Sequence, residues 1–419
     1  MFEVIRAVAS LREEEEGKHL GRVDDLLSFV KESGLYLPFH RVEEGVNEPE
    51  AVIEGRPYLM FGANNYLSLS EDEAVKAAAT KAIARYGIGP GGSRAMSGNV
   101  DIILELEKRL ADITGMEACM TLPTGYMANV GVMRSLTCEF VGRMPYSDQE
   151  SVIFVDEYIH GSVSDGCRLA GVRTVKFRHN NRADLQRKLE ANAQRTNRVI
   201  VTEGVFCLEG EIIDIPAYVD IAREWGAKLV VDDAHAIGVL GSRGGGSPDY
   251  HHCADGIDLV IGSMDKALGG TGGYIAGSRT LIDYLWLTMS SAMLSSALPA
   301  GMAGAMLEAL DRSEAATDIR AQLAAKTRWL RTTLRGRGFT VLGAHDIPSV
   351  PLFIGPEETG IAFAASLLEQ GIFCPLMRWP AVPPGRSRFR LSLMARHEQK
   401  HLDALVEGCT VVGRDLGVI

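Results

Sequence analysis

From residue 61 onward the chain alternates short strand-like runs with segments of helical spacing. Residues 151–155, 173–177, 198–202, 228–231 and 259–262 are brief strand-like runs, and residues 183–194 and 216–225 between them carry helical spacing. Strands buried on both faces read as near-continuous apolar runs, so this alternation predicts an α/β fold with a mainly parallel central sheet between helices. Past residue 299 the pattern changes. A helical stretch at 301–337 precedes strands at 339–342, 350–354 and 388–393, and a last helix covers 398–412. The first sixty residues read as an amphipathic helix, a loop and a short strand pair leading to 58–61. The expected organisation is an N-terminal segment (1–60), a large domain (61–299) and a smaller C-terminal α+β domain (300–419), with no internal repeat.

Composition narrows the function more than the fold. A chain of 419 residues has room for two or three domains and a large core. Its net charge of −11 opposes non-specific nucleic-acid binding, which needs a positive field, but leaves a local phosphate pocket open. Seven scattered cysteines with no Cys-x-x-Cys pair fit a reduced, cytoplasmic protein rather than a disulfide framework or a metal site. Residues 1–12 run into four glutamates at 13–16 with no long apolar core, so neither a signal peptide nor a membrane span is expected.

Four strings at the ends of expected strands can carry chemistry. Val-Val-Asp-Asp-Ala-His-Ala-Ile-Gly at 230–238 ends an apolar strand in two carboxylates and a histidine; it is either a solvated turn or a rigid perch for a carboxylate that pairs with a cation. Ile-Gly-Ser-Met-Asp-Lys-Ala-Leu-Gly-Gly at 261–270 places Lys266 among small residues. Such a setting helps an amine lose its charge and act as nucleophile or base, although most lone lysines are surface charges. Thr-Leu-Pro-Thr-Gly-Tyr-Met-Ala-Asn at 121–129 opens a helix whose N–H groups can meet a phosphate, or is a plain cap by Thr124. Val-Asp-Glu-Tyr-Ile-His-Gly-Ser at 155–162 puts His160 just past a strand, to stack on a planar ligand or to serve the structure.

Taken together, in this order and spacing, the strings resemble the α-oxoamine synthase family of fold-type I pyridoxal-phosphate enzymes, from about Phe61 to Val412. The resemblance implies a pyridoxal 5'-phosphate cofactor held by Lys266 as a Schiff base. Asp232 would pair with the pyridine nitrogen, His235 would bond the ring oxygen and His160 would stack on the ring. Gly125, Tyr126 and Ser263 would bind the phosphate, with Glu203 and Cys207 near the cofactor. Ser296 resembles the segment that reaches a neighbouring subunit's phosphate, so a homodimer with shared active sites is implied. Asn65 and Arg390 resemble the groups that hold the amino-acid carboxylate, a job a guanidinium suits because it makes two parallel bonds. The implied reaction condenses a small amino acid with an acyl thioester, carried on coenzyme A or a carrier protein, and loses carbon dioxide to leave an α-amino ketone.

The chain departs from the family pattern at Asp265, where serine or glycine precedes the lysine, and at Cys207, which stands for a serine. Ile103 stands for a histidine and Ser68 for a glycine. Another fold-type I chemistry, a non-catalytic partner subunit of a synthase heterodimer, and an unrelated α/β binding protein are the competing readings. Retention of Lys266, Asp232 and His235 together opposes the partner-subunit reading.

Overall fold

The computed structural model describes residues 19–32, 36, 39–138, 147 and 149–419; the acidic run at 13–16 lies outside them. At its centre is a seven-stranded sheet of β1 (Ala118–Leu122), β2 (Ser151–Asp156), β3 (Arg173–Phe177), β4 (Asn197–Glu203), β5 (Lys228–Asp232), β6 (Leu259–Ser263) and β7 (Gly273–Gly277). Their order is β1-β7-β6-β5-β4-β2-β3. Strands β6, β5, β4, β2 and β3 run parallel, and β7 is antiparallel to both of its partners. Successive strand residues enter opposite cores. Val152 and Phe154 join one apolar cluster, while Ile153 and Val155 join the other. Helices on both faces thus explain why these strands are apolar without alternation.

Three expectations change. Strands β1 and β7 were not foreseen, because Gly-Tyr-Ile-Ala-Gly at 273–277 is bounded by glycines and becomes a strand through pairing on both sides. The helix expected at 301–337 is two, Ala300–Ala315 and Thr317–Gly336. A continuous helix would bond the Ser313 carbonyl to residue 317; instead Ala316 N–H takes it at 3.2 Å, alongside the Arg320 guanidinium. The strand expected at 339–342 reduces to one bridge between Val341 and Leu352. Its carbonyls serve arginines, with Arg335 on Val341 at 3.0 Å and Arg331 on Leu342 at 2.6 Å.

The C-terminal portion holds an antiparallel sheet of β8 (Ser349–Gly355), β9 (Leu376–Met377) and β10 (Ser387–Ser392), in the order β8-β10-β9. A second small sheet joins the chain's two ends: Arg56–Met60 pairs in parallel with Ile372–Phe373. The hairpin after β4, Val205–Phe206 with Glu211–Ile212, links this portion to the central sheet. Arg388 on β10 donates to the Leu208 carbonyl at 2.9 Å and meets Glu209 at 3.1 Å, while Ser349 Oγ donates to the Cys207 carbonyl at 2.9 Å.

Beneath the hairpin His179 lies between Asp156 (2.9 Å) and Glu211 (3.5 Å). Burial opposes a charge on this imidazole, but the two carboxylates outweigh it and push its pKa up to about 10. A pKa raised on folding stabilises fully below the ordinary 6.5, and the contribution is lost as pH rises through about 10. His179→Gln keeps a donor for Asp156 and removes the charge. In thermal unfolding series the wild type should exceed this variant most at about pH 6, with the margin shrinking as pH rises towards 10; a margin independent of pH would contradict the ion pairing.

Candidate active site

The C-terminal ends of β4, β5 and β6 lie side by side, and parallel register sets Asp232 opposite both Glu203 and Ile261. The carboxylates at 232 and 233 part company because consecutive strand side chains point to opposite faces. Asp233 is wholly buried and accepts the Ser247 N–H at 2.8 Å and the Ser247 hydroxyl. A Cβ at Gly204 or Gly246 would lie 2.2 or 1.9 Å from its oxygens, so backbone packs directly on it. Burial pushes its pKa up to about 7. Asp233 is part of the packing, and Asp232 faces the other way.

Asp232 accepts the Asn129 amide N–H at 2.7 Å and the Ala234 N–H at 3.1 Å. The same Asn129 nitrogen donates to Ser162 Oγ at 2.9 Å, and that oxygen is 2.6 Å from His160 Nδ1. An amide nitrogen only donates, so the Ser162 hydroxyl accepts from Asn129 and gives its own hydrogen to Nδ1. The Ser162 N–H also points at Nδ1, at 3.3 Å. His160 Nδ1 is therefore an acceptor, and Nε2 carries the proton of the neutral ring. Glu203 accepts the His160 N–H at 2.8 Å. Burial, and then the nearby Asp232 charge, hold the Glu203 carboxyl well above the usual range.

Lys266 Nζ is 3.2 Å from Asp265 Oδ1, and the Ser263 hydroxyl donates to that same oxygen. Ser263 in turn abuts Gly125, where an added Cβ would be 3.1 Å from the serine Cβ. Gly125 and Tyr126 open helix Gly125–Ser135, in the first turn, whose N–H groups have no carbonyl partner within a helix. Thr124 caps it by accepting from Met127 N–H at 3.3 Å, so the cap and the exposed N–H groups coexist. The strand leading there is braced from below. Buried Arg94 bonds Glu107 at 2.6 and 3.0 Å, and Glu107 also accepts the Thr121 N–H at 2.7 Å.

Across the site Tyr66 Oη lies 2.9 Å from His235 Nδ1. Burial, then the charges of Lys266 and Arg390, hold the His235 imidazole well below its ordinary range, so it is neutral. Arg390 Nε is buried without a hydrogen-bond partner, and Cys207 lies beside the same guanidinium. Burial pushes the Cys207 thiol up to about 11, with Arg390 pulling the other way. Asn65 is 2 % exposed; its amide donates to the Asn47 carbonyl at 2.9 Å and accepts Ser70 N–H at 3.3 Å, which leaves one N–H to serve a ligand.

The structure thus gathers Lys266, Ser263 and Gly125 at one end, Asp232, Glu203 and His160 along the strand tips, and His235, Cys207 and Arg390 at the other end. The Tyr126 side chain turns outward to Asp165, and Ser296 is exposed, joined to none of these groups within the chain. Ile103 is fully buried in the core. Ser68 has a φ of +58°, where glycine is favoured and serine costs about 1–2 kcal/mol; its hydroxyl accepts the Arg396 N–H at 3.2 Å. Asn129, Ser162 and Tyr66 went unassigned in the sequence although each lies in a string that drew attention. Asp265 drew attention there only as a departure.

These groups fit pyridoxal phosphate: an amine for its aldehyde, a carboxylate for its ring nitrogen, and a tight Gly125–Ser263 cradle for its phosphate. A mainly parallel sheet with one antiparallel strand and this strand-end constellation define a fold-type I pyridoxal-phosphate enzyme. Comparisons with known proteins agree. The family model for aminotransferase class I and II matches residues 56–408. The putative 8-amino-7-oxononanoate synthase of Acetivibrio thermocellus is 37% identical over 393 residues, 94% of this chain and 98% of that protein. The 8-amino-7-oxononanoate synthase of Lysinibacillus sphaericus gives the same identity and coverage. The serine palmitoyltransferase of Sphingomonas wittichii superposes with a TM-score of 0.89 at 27% identity, over 96% of this chain and all of that one. The chain belongs to the class I and II aminotransferase family, in its α-oxoamine synthase branch, and is a pyridoxal-phosphate-dependent acyltransferase.

Asn129 generates a prediction. Asn129→Ala removes the donor to charged Asp232, a bond worth about 1.5–3 kcal/mol. Cofactor affinity, measured by titrating the cofactor-free protein, should fall about tenfold or more. Unchanged affinity in a folded variant would show that Asp232 needs no such support.

Proposed function

We propose that this site joins a small α-amino acid to an acyl thioester, releasing carbon dioxide and free thiol and leaving an α-amino ketone. The observation that carries this is the buried Arg390 guanidinium, whose Nε has no hydrogen-bond partner and whose charge, with that of Lys266, reaches His235. A guanidinium with an unpartnered buried Nε, in one site with an amine, suits a ligand that has a carboxylate at one end and a reacting carbon at the other. The relatives' product, 8-amino-7-oxononanoate, is itself an α-amino ketone by name.

Bound pyridoxal phosphate supplies the electron sink that makes a bond at the amino-acid Cα breakable. The chain's residues would do the rest. Gly125 and Tyr126 N–H groups and Ser263 would hold the phosphate, Asp232 would keep its charge opposite the ring nitrogen, and His235 would bond the ring oxygen. Lys266 would carry the cofactor and, once displaced by the amino acid, move the proton at Cα. Arg390, with the remaining Asn65 N–H, would orient the carboxylate. His160 would stack on the ring and donate from Nε2, the nitrogen that its bond to Ser162 leaves protonated. Glu203 and Cys207 would line the same space.

We further propose a homodimer with shared active sites, in which Ser296 reaches the partner's phosphate. In support, Ser296 lies among exposed apolar residues: Leu294 is 86% exposed and Leu287 69%, with Met96 at 83% on the glycine-rich side. Patches of this kind mark association surfaces. A cytoplasmic location is part of the same reading. All seven cysteines are free thiols, and no helix among the described residues is long and apolar enough to cross a membrane.

The test is a panel of glycine, alanine and serine against acyl-coenzyme A and acyl-carrier donors. Productive pairs should release one thiol and one carbon dioxide per α-amino ketone, and Lys266→Ala should lose this turnover. Arg390→Lys should raise the KM for the amino acid about tenfold or more through loss of the paired bonds. Amino-group transfer to a keto acid without thiol release would overturn the reading.

A further inference from the structure

We infer that Asp265 competes with the cofactor's phosphate for the far end of the site, which makes it a built-in limit on how tightly the cofactor is held. This rests on the reading of Gly125 and Ser263 as the phosphate cradle. Asp265 Oδ1 accepts the Ser263 hydroxyl, the side chain that forms the wall facing Gly125, and is 3.2 Å from Lys266 Nζ. Without a cofactor the chain therefore supplies its own anion to the hydroxyl and to the amine.

Asp265 is charged at neutral pH. Burial would raise its carboxyl, but the Lys266 ammonium and the Ser263 hydroxyl outweigh burial and hold it below the usual range. A phosphate entering the cradle meets a hydroxyl already engaged by a carboxylate. Either Asp265 leaves, giving up both partners, or it stays and repels the second anion. Its side chain is 47% exposed, so departure towards solvent is open. Both routes subtract from what the phosphate adds to binding, and neither affects an aldehyde that lacks the phosphate.

That asymmetry defines the experiment. Full-length cofactor-free protein is titrated with pyridoxal phosphate and with pyridoxal, and the ratio of the two dissociation constants is compared among wild type, Asp265→Asn and Asp265→Ser. Changes at Lys266 alter both ligands alike and cancel in the ratio. The preference for the phosphorylated aldehyde should rise about tenfold or more in both variants, as removing a like-charge contact requires. Ser263→Ala should reduce that preference more in the Asp265→Asn background than in the wild type, because only there is the hydroxyl free to serve the phosphate. A preference that is unchanged or lower in folded variants, with matching circular dichroism, would overturn the inference and make Asp265 a support of the cradle. Failure of wild type to take up either aldehyde would instead sink the cofactor assignment of the cradle and Lys266.

Discussion

Two buried carboxylates at neighbouring strand tips cannot both keep a charge cheaply, and the site is organised around that constraint. Parallel register makes Asp232 and Glu203 neighbours. Burial, and then the nearby Asp232 charge, hold the Glu203 carboxyl well above its ordinary range. Asp232 accepts two N–H donors, one from its own turn and one from Asn129. The arrangement then spreads outward. The second hydrogen of Asn129 orients Ser162, Ser162 fixes the tautomer of His160, and the His160 backbone returns to Glu203. A single chain of hydrogen bonds thus runs from Asp232 to Glu203 and decides which nitrogen of His160 donates.

The other half of the site depends on the C-terminal portion. The hairpin after β4 carries Cys207 to Arg390, and it is held in place by Arg388 and Ser349 from β10 and β8. His179 and its two carboxylates secure the same hairpin to β2 and β3. The Lys266 end is built on the central sheet, whereas the Arg390 end is assembled from both portions. A shift of the small antiparallel sheet would move Arg390 and Cys207 while leaving Lys266 and Asp232 where they are.

Much of this was legible in the residues. Strands β2, β4, β5 and β6 announce themselves because burial on both faces demands nearly unbroken apolar runs, and their tips are where chemistry collects in open α/β sheets. Lys266, Asp232 and His235 follow from that placement and from their order along the chain. Strand β7 was illegible because its glycines carry no side-chain signal, and the break at Ala316 because apolar spacing does not show that the Arg320 side chain folds back onto the Ser313 carbonyl. Asn129 is 103 residues from Asp232, and no spacing rule links them. Asp265 stood out only as an unusual neighbour of the lysine; its bond to Ser263 required three dimensions. Ser68 is the reverse case, a residue that breaks a glycine pattern yet adopts the glycine conformation.

In the proposed reaction Asp232 pairs with the cofactor's ring nitrogen, and that pairing can be read from the nitrogen itself. Nitrogen-15 NMR of the holoenzyme, loaded with cofactor labelled at the ring nitrogen, reports directly whether that nitrogen is protonated. The wild type should show a protonated ring nitrogen across neutral pH, and Asp232→Asn should shift the resonance to the unprotonated position. An unprotonated nitrogen in the wild type would contradict that pairing.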